Sequence, residues 1–308
     1  MNQPKRHHWV PQFYLRWFST PESATGSNPQ VYIYHRVKGD LQLVSTRNIA
    51  VKNYLYAPLQ DKDAKTRDFS LESDLAEFEG IIARIWPTLA NDFVDLGAPT
   101  FRKAIALFLA TLFLRHPCTR TRQRESRNQL LQMIDGAPKD LNGLPCVSSI
   151  QIGADKHSIP FDVGTWQAMK DADENDLHRV FVDMIRTEAL DIAEALMRKR
   201  WSIVFMDEPL FVTSDNPLFV VDPDMKRDQL LGRNAKIMFP ISPTRILCLD
   251  DLQEPGNRYY KLSRDQAALY NWFTWVNTDD FMISPRHIDE ILVELDALRQ
   301  QAERELSR

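Results

Sequence analysis

Along the chain the spacing of apolar residues changes from period two to period 3.6 and back. Val31–Val37, VYIYHRV, alternates in β-branched and aromatic residues; Lys38-Gly39-Asp40 closes it and LQLVS returns, which predicts an antiparallel hairpin. From Ser70 the apolar positions Leu71, Leu75, Phe78, Ile81, Ile82 and Ile85 recur at helical spacing, with Ser70 as N-cap and an end near Trp86-Pro87. A second helix, Pro99 to Arg115, is apolar on nearly every side and is broken by His116-Pro117. Arg120 to Ile134 reads as a basic, amphipathic helix, and Cys146 to Ile159 as a weakly patterned small hairpin. Asp171 to Arg200 restores a long helix whose basic end complements the helix dipole.

Short apolar runs follow, WSIVFM, PLFVT, PLFVV, AKIMFPI and TRILCLD, each bounded by turn residues, and they predict a β-rich region. A helix from about Asp265 to Trp275, a strand DFMIS and an amphipathic helix from Arg286 complete the pattern. The last helix either packs on its own chain or forms a homo-oligomer with a second copy. This order predicts an α+β fold in which a helical layer packs on a mostly antiparallel β-region. The expected organisation is one domain over 1–308, helical over about 70–200, β-rich over about 30–56 and 201–284, with a C-terminal helix over 286–305.

Composition removes several function classes. The net charge of -4 provides no global basic field for nucleic acid, although a local groove could be basic. Cys118, Cys146 and Cys248 lie far apart with no C-x-x-C pair, which argues against a cysteine-based zinc site or a disulfide framework. No phosphate-cradling glycine loop is present. Met1–Pro4 leads into charges and aromatics instead of an apolar signal run, and Ala104–Leu114 falls short of the roughly 20 residues that span a bilayer. A cytoplasmic protein with no membrane partner is the expectation.

Candidate chemistry concentrates in a few stretches. In KRHHWVPQFYLRWF, Pro11 can start a short helix, and His7 and His8 precede it in extended chain, so their rings point to opposite sides. An imidazole there can be a metal ligand, a general base or a neutral hydrogen-bonding partner. In PLFVTSDNPLFVV, Ser214, Asp215 and Asn216 are short polar groups between two strand-like runs, and Pro217 keeps Asn216 extended; they suit either a turn or a cleft. Glu72 and Glu79, seven apart, share a helix face, and Arg115 closes the most apolar helix. Arg115 is most simply a dipole partner or the ion-pair partner of Glu79, and it could also hold an anion.

HHWVPQFYLRWF, ESDLAEFE, LRHP, TSDNP and FPISP, in that order and over most of the chain, resemble domain-of-unknown-function family 4238. The resemblance implies a bacterial protein, some of whose relatives are associated with defence against bacteriophage, and places His8, Gln12, Tyr14, Glu79, Arg115, Ser214, Asp215 and Asn216 on motif positions. The expectation is an intracellular hydrolase, such as a metal-dependent nuclease or phosphodiesterase. In it His8, Glu79 and Asp215 are catalytic, and Gln12, Tyr14, Arg115, Ser214 and Asn216 bind substrate. His8 and Asp215 are the candidate ligands for a divalent metal, and nucleic acid or a phage component is the expected partner. The alternative is a non-enzymatic sensor or binding module in which the same motifs form a structural lock, His8 bonding to Asp215.

Overall fold

The computed structural model describes residues 4–61, 65–145, 149–152, 155–158, 162–221, 230, 232 and 234–306. Strand β1 (Arg6–His8) leads into the one-turn helix α1 (Gln12–Leu15), then β2 (Gln30–His35), β3 (Leu41–Ser45) and β4 (Val51–Asn53). The helical part holds α2 (Ser70–Asn91), α3 (Pro99–Leu114), α4 (Pro117–Asp135), the strand pair β5 (Ser149–Ile152) and β6 (Asp155–Ser158), α5 (Val163–Asp171) and α6 (Glu174–Arg198). After it come β7 (Arg200–Phe205), β8 (Thr213–Ser214), β9 (Phe219–Val221), β10 (Lys236–Ser242), β11 (Arg245–Asp250), β12 (Arg258–Lys261), α7 (Arg264–Val276), β13 (Phe281–Ser284) and α8 (Ile288–Leu306).

The β-region is two sheets. One has the order β12-β7-β11-β10-β9, antiparallel except for the parallel β12/β7 pair; the other has the order β3-β2-β13-β8 and is antiparallel throughout. β1 and β4 form a separate antiparallel pair. The fold is α+β, with the helices laid on antiparallel-rich sheets. One continuous apolar cluster joins α1, α2, α3 and α6 to the inward faces of β7, β10 and β11. α3, apolar all round, lies in its middle with Ile105, Phe108, Leu109 and Leu112 buried. Among the described residues no helix is long and apolar enough to cross a membrane.

Local chemistry explains where elements depart from the periodicity. α2 runs past Pro87 to Asn91 because a proline in a late turn removes a single backbone bond, while the end is held from outside. There the Arg245 guanidinium donates to the carbonyls of Asn91 (2.6 Å) and Asp92, and Trp86 Nε1 donates to Ile241 O (3.2 Å). Ser70 is the first helical residue, its N–H bonded to Asp68 Oδ1 at 2.8 Å. PLFVT yields only the two residues of β8, because Phe211 N–H donates to Pro243 O and Val212 N–H to Asn271 Oδ1 instead of to a neighbouring strand. α8 seats Ile288, Ile291 and Leu295 against Val212, Met282 and Trp275 of its own chain.

Candidate functional site

Pairing of β1 with β4 decides which histidine enters the protein. His7 lies opposite Lys52 and is fully buried; His8, one residue on, faces the other way and is half-buried. His7 Nδ1 accepts the Tyr56 N–H (3.1 Å) and Nε2 donates to Pro4 O (3.0 Å), which fixes a neutral ring; burial holds its pKa below the ordinary value. His8 Nε2 donates to Arg47 O (3.3 Å) and Nδ1 accepts the Gln12 side-chain N–H (3.3 Å). Burial, with the charges of Arg6 and Arg115, pushes the His8 pKa down to about 4, so this ring too is neutral at pH 7.

Between the two arms of the site stands Trp9. Its carbonyl accepts Arg115 Nε (2.9 Å), its indole N–H donates to Asp215 O (3.0 Å), and its ring meets the His116 ring edge-on at 6.0 Å. Arg115 is 1% exposed, and its Nη1 donates to Glu79 Oε1 at 2.5 Å. Burial opposes its charge, yet Glu79, Tyr56 and Glu72 outweigh that and raise its pKa. Nη2 of the same guanidinium is buried and makes no hydrogen bond among the described residues. Glu72 lies two turns earlier on α2, 3.5 Å from His7 Nδ1, and burial together with the Glu79 charge pushes its carboxyl up to about 7. The two carboxyl groups of one helix face thus differ: Glu79 is committed to an ion pair and Glu72 retains its proton near neutrality.

The second arm is the TSDNP turn. Asp215 is buried, with Oδ1 accepting the Asp279 N–H (3.1 Å) and Oδ2 the Asp280 N–H (2.7 Å); burial and the neighbouring acidic charges still push its pKa up to about 7. Ser214 Oγ accepts the Asn216 N–H (3.1 Å), and Asn216 Nδ2 donates to Asn277 O (3.4 Å). Tyr14, fully buried, is bonded to Thr213 Oγ1 (2.6 Å) and donates to Pro240 O (2.7 Å). His8 and Asp215 share no hydrogen bond; Trp9 links their neighbourhoods.

Five stretches scattered over the chain therefore meet through Trp9, Arg115 and Tyr14. A family model described as "Protein of unknown function (DUF4238)" matches residues 6–291, nearly the whole chain. The chain belongs to the DUF4238 family. No curated protein and no solved structure matches it. In this DUF4238 chain the residues brought together on the first arm are His8, Gln12, Glu79 and Arg115, and those on the second are Tyr14, Ser214, Asp215 and Asn216.

Sequence reasoning did not single out His116, Cys118 and Asp279. Their donor atoms lie within 4.8 Å of one another and make the one such His, Cys and acidic group among the described residues. His116 caps α4: its Nδ1 accepts the Cys118 N–H (3.2 Å) and lies 2.8 Å from Cys118 Sγ, while Nε2 faces Asp279 Oδ2 at 3.6 Å. The two neighbours thus occupy different ring nitrogens, an arrangement suited to passing a proton and poorly suited to one shared metal ion. Pro directly after a histidine signals a helix start; the thiol contact has no sequence signature.

Proposed function

We propose that this DUF4238 protein is a hydrolase of a phosphodiester or related phosphate ester, acting inside a bacterial cell in defence against bacteriophage. The observation that carries this reading is the buried Arg115 guanidinium, anchored on Glu79 with Nη2 left over and within electrostatic reach of the proton-holding Glu72. A desolvated guanidinium with a donor to spare stabilises charge growing on a phosphoryl oxygen far better than an exposed one. In the proposed chemistry Arg115 Nη2 binds a non-bridging oxygen and Glu72 protonates the leaving oxygen as the P–O bond breaks. The neutral His8 ring, its tautomer held by Nε2–H on Arg47 O, takes the proton of the attacking water at Nδ1, where the water replaces the Gln12 N–H that Nδ1 accepts at rest. Glu79 positions Arg115. The positive charge that a divalent metal would provide in such a reaction is assigned to Arg115, because its guanidinium already covers Glu79 Oε1.

The committed carboxylate of Asp215, with both oxygens on backbone N–H groups, favours a second reading in which that turn is a lock holding Trp9. One experiment separates the two. Purified protein is assayed on single-stranded RNA, single-stranded DNA and bis-p-nitrophenyl phosphate, with and without Mg²⁺ or Mn²⁺, alongside Glu72→Gln and Arg115→Met. Cleavage that is lost in Glu72→Gln at unchanged melting temperature supports the hydrolase; no cleavage of any substrate leaves the lock. A plaque assay with the same Glu72→Gln variant tests the setting, since defence that survives it does not use this chemistry.

A further inference from the structure

Beside the first arm of the site lies a cleft of about 310 Å³ whose charge the whole-chain balance conceals. Pro117, Arg120 and Arg124 stand three and four apart on one face of α4; Lys52 of β4 and Glu174 and Leu177 of α6 close the other side. Three cations face one acid there. Arg124 Nη2 pairs with Glu174 Oε1 at 2.8 Å, and both are exposed. Arg120 is different: it is half-buried and forms no ion pair among the described residues, and burial lowers its pKa against the opposing pull of the Glu174 charge. The one acid of the cleft, Glu174, is bonded to Arg124, so the partly desolvated Arg120 guanidinium is left with only a share of that acid's charge, and an excess of positive charge remains that an anion would settle.

The volume lies at the lower end of the range for small-molecule sites, and the walls are mixed. Pro117 and Leu177, with Leu55 buried behind them, offer an apolar surface next to the basic one, as a nucleotide with its charged phosphate and apolar base face would require. The cleft also adjoins the proposed chemistry through covalent neighbours: Tyr56, next to Leu55, donates its hydroxyl to Arg115 O at 3.1 Å, and Pro117 is two residues beyond Arg115.

We propose that this cleft binds a nucleotide unit, its phosphate on Arg120, Arg124 and Lys52 and its base against Pro117 and Leu177, and so names the substrate class of the neighbouring site. The inference rests on the hydrolase reading only for the step after binding. Whether the unit is free or part of a strand is read directly. A 5′-fluorescein-labelled RNA hexamer is titrated with the full-length chain in EDTA, by anisotropy, and AMP is used as competitor. Wild type binds the hexamer; Arg120→Gln and Gln123→Glu, which adds a negative charge to the cleft while keeping the side-chain shape, each weaken binding about tenfold or more. Arg120→Gln also lowers the slope of log K against log salt by about 0.7. Arg258→Gln, on the edge strand β12, binds as wild type.

Competition by AMP at the hexamer's own affinity assigns a free nucleotide; binding of the hexamer alone assigns a strand. Equal affinities for wild type, Arg120→Gln and Gln123→Glu, or no binding of either probe up to about 1 mM, overturn the inference. Binding with no cleavage of any strand keeps the cleft and removes the hydrolase. Cleavage with an unchanged KM in Arg120→Gln does the reverse.

Discussion

Glu72→Gln tests whether the carboxyl beside His7 retains its proton in the folded protein. The replacement has the shape of the protonated acid but no charge. In the unfolded chain Glu72 titrates near 4.5, and in the fold burial raises it to about 7. Between those values the native state holds a proton that the unfolded state has released, so the Glu72 contribution to stability falls as pH rises through this window. At about 1.36 kcal/mol per pH unit the shift corresponds to about 3 kcal/mol; the carboxyl is 20% exposed, so about 2 kcal/mol is the working value. The buried histidines and Asp215 also titrate here, but they are common to both proteins and cancel in the difference. Urea melts of both proteins at pH 4.5, 5.5, 6.5 and 7.5 provide the comparison. The variant should match wild type within about 1 kcal/mol at pH 4.5 and exceed it by about 2 kcal/mol at pH 7.5. Two curves running parallel across the window would refute the raised carboxyl and, with it, the role of Glu72 as acid.

Glu79→Gln leaves the buried Arg115 charge without its anion and should cost about 2–4 kcal/mol in a thermal melt; a loss below about 0.5 kcal/mol would mean the pair is solvated. Tyr14→Phe removes the donor to Pro240 O and the partner of Thr213, both buried, with an expected cost of about 1–3 kcal/mol measured by denaturant midpoint at constant m. Cys118, half-buried at the start of α4 with its sulfur 2.8 Å from His116 Nδ1, should react with iodoacetamide well before Cys248, whose thiol burial pushes up to about 12. Peptide mapping should also show Cys118 slowed in His116→Gln; an unchanged rate would mean the imidazole does not assist the thiol.

How far the sequence could be read follows from which interactions leave a periodic trace. α3, α6 and the β2/β3 hairpin are set by side-chain spacing, and all three lie where that spacing puts them. The pairing of Glu79 with Arg115 was also legible, since an acid on a largely apolar helix face needs a partner and Arg115 closes the helix that packs nearby. Which histidine turns inward was not. That choice is the register of β1 on β4, and Val51-Lys52-Asn53 is too short and polar to announce a strand; a slip of one residue would exchange His7 and His8. The links through Trp9 escaped for another reason. Arg115 and the indole bond to backbone carbonyls, at Trp9 and Asp215, and any residue type provides a carbonyl. Cys118 likewise draws its surroundings from the N-cap geometry of His116 and from Asp279, 161 positions further along the chain.

The motif residues divide by what their polar atoms have left to offer. Asp215, Ser214 and Tyr14 are committed: both carboxylate oxygens, the serine oxygen and the phenol all hold partners inside the fold. Arg115 retains the N–H donors of Nη2, Glu72 keeps an exchangeable proton close to neutrality, and His116 Nε2 lies buried 3.6 Å from a carboxylate. The proposed hydrolase chemistry draws on the second group, because a reacting group must exchange a proton or accept a ligand without first breaking the fold. The first group nonetheless governs the second. Asp215 pins the 279–280 backbone and, through its carbonyl, the Trp9 indole, whose own carbonyl fixes Arg115. Under the proposed function, lock and reaction are then successive stretches of one hydrogen-bonded path, and substitution at Asp215 is expected to act on activity by way of Trp9 and the position of Arg115 Nη2.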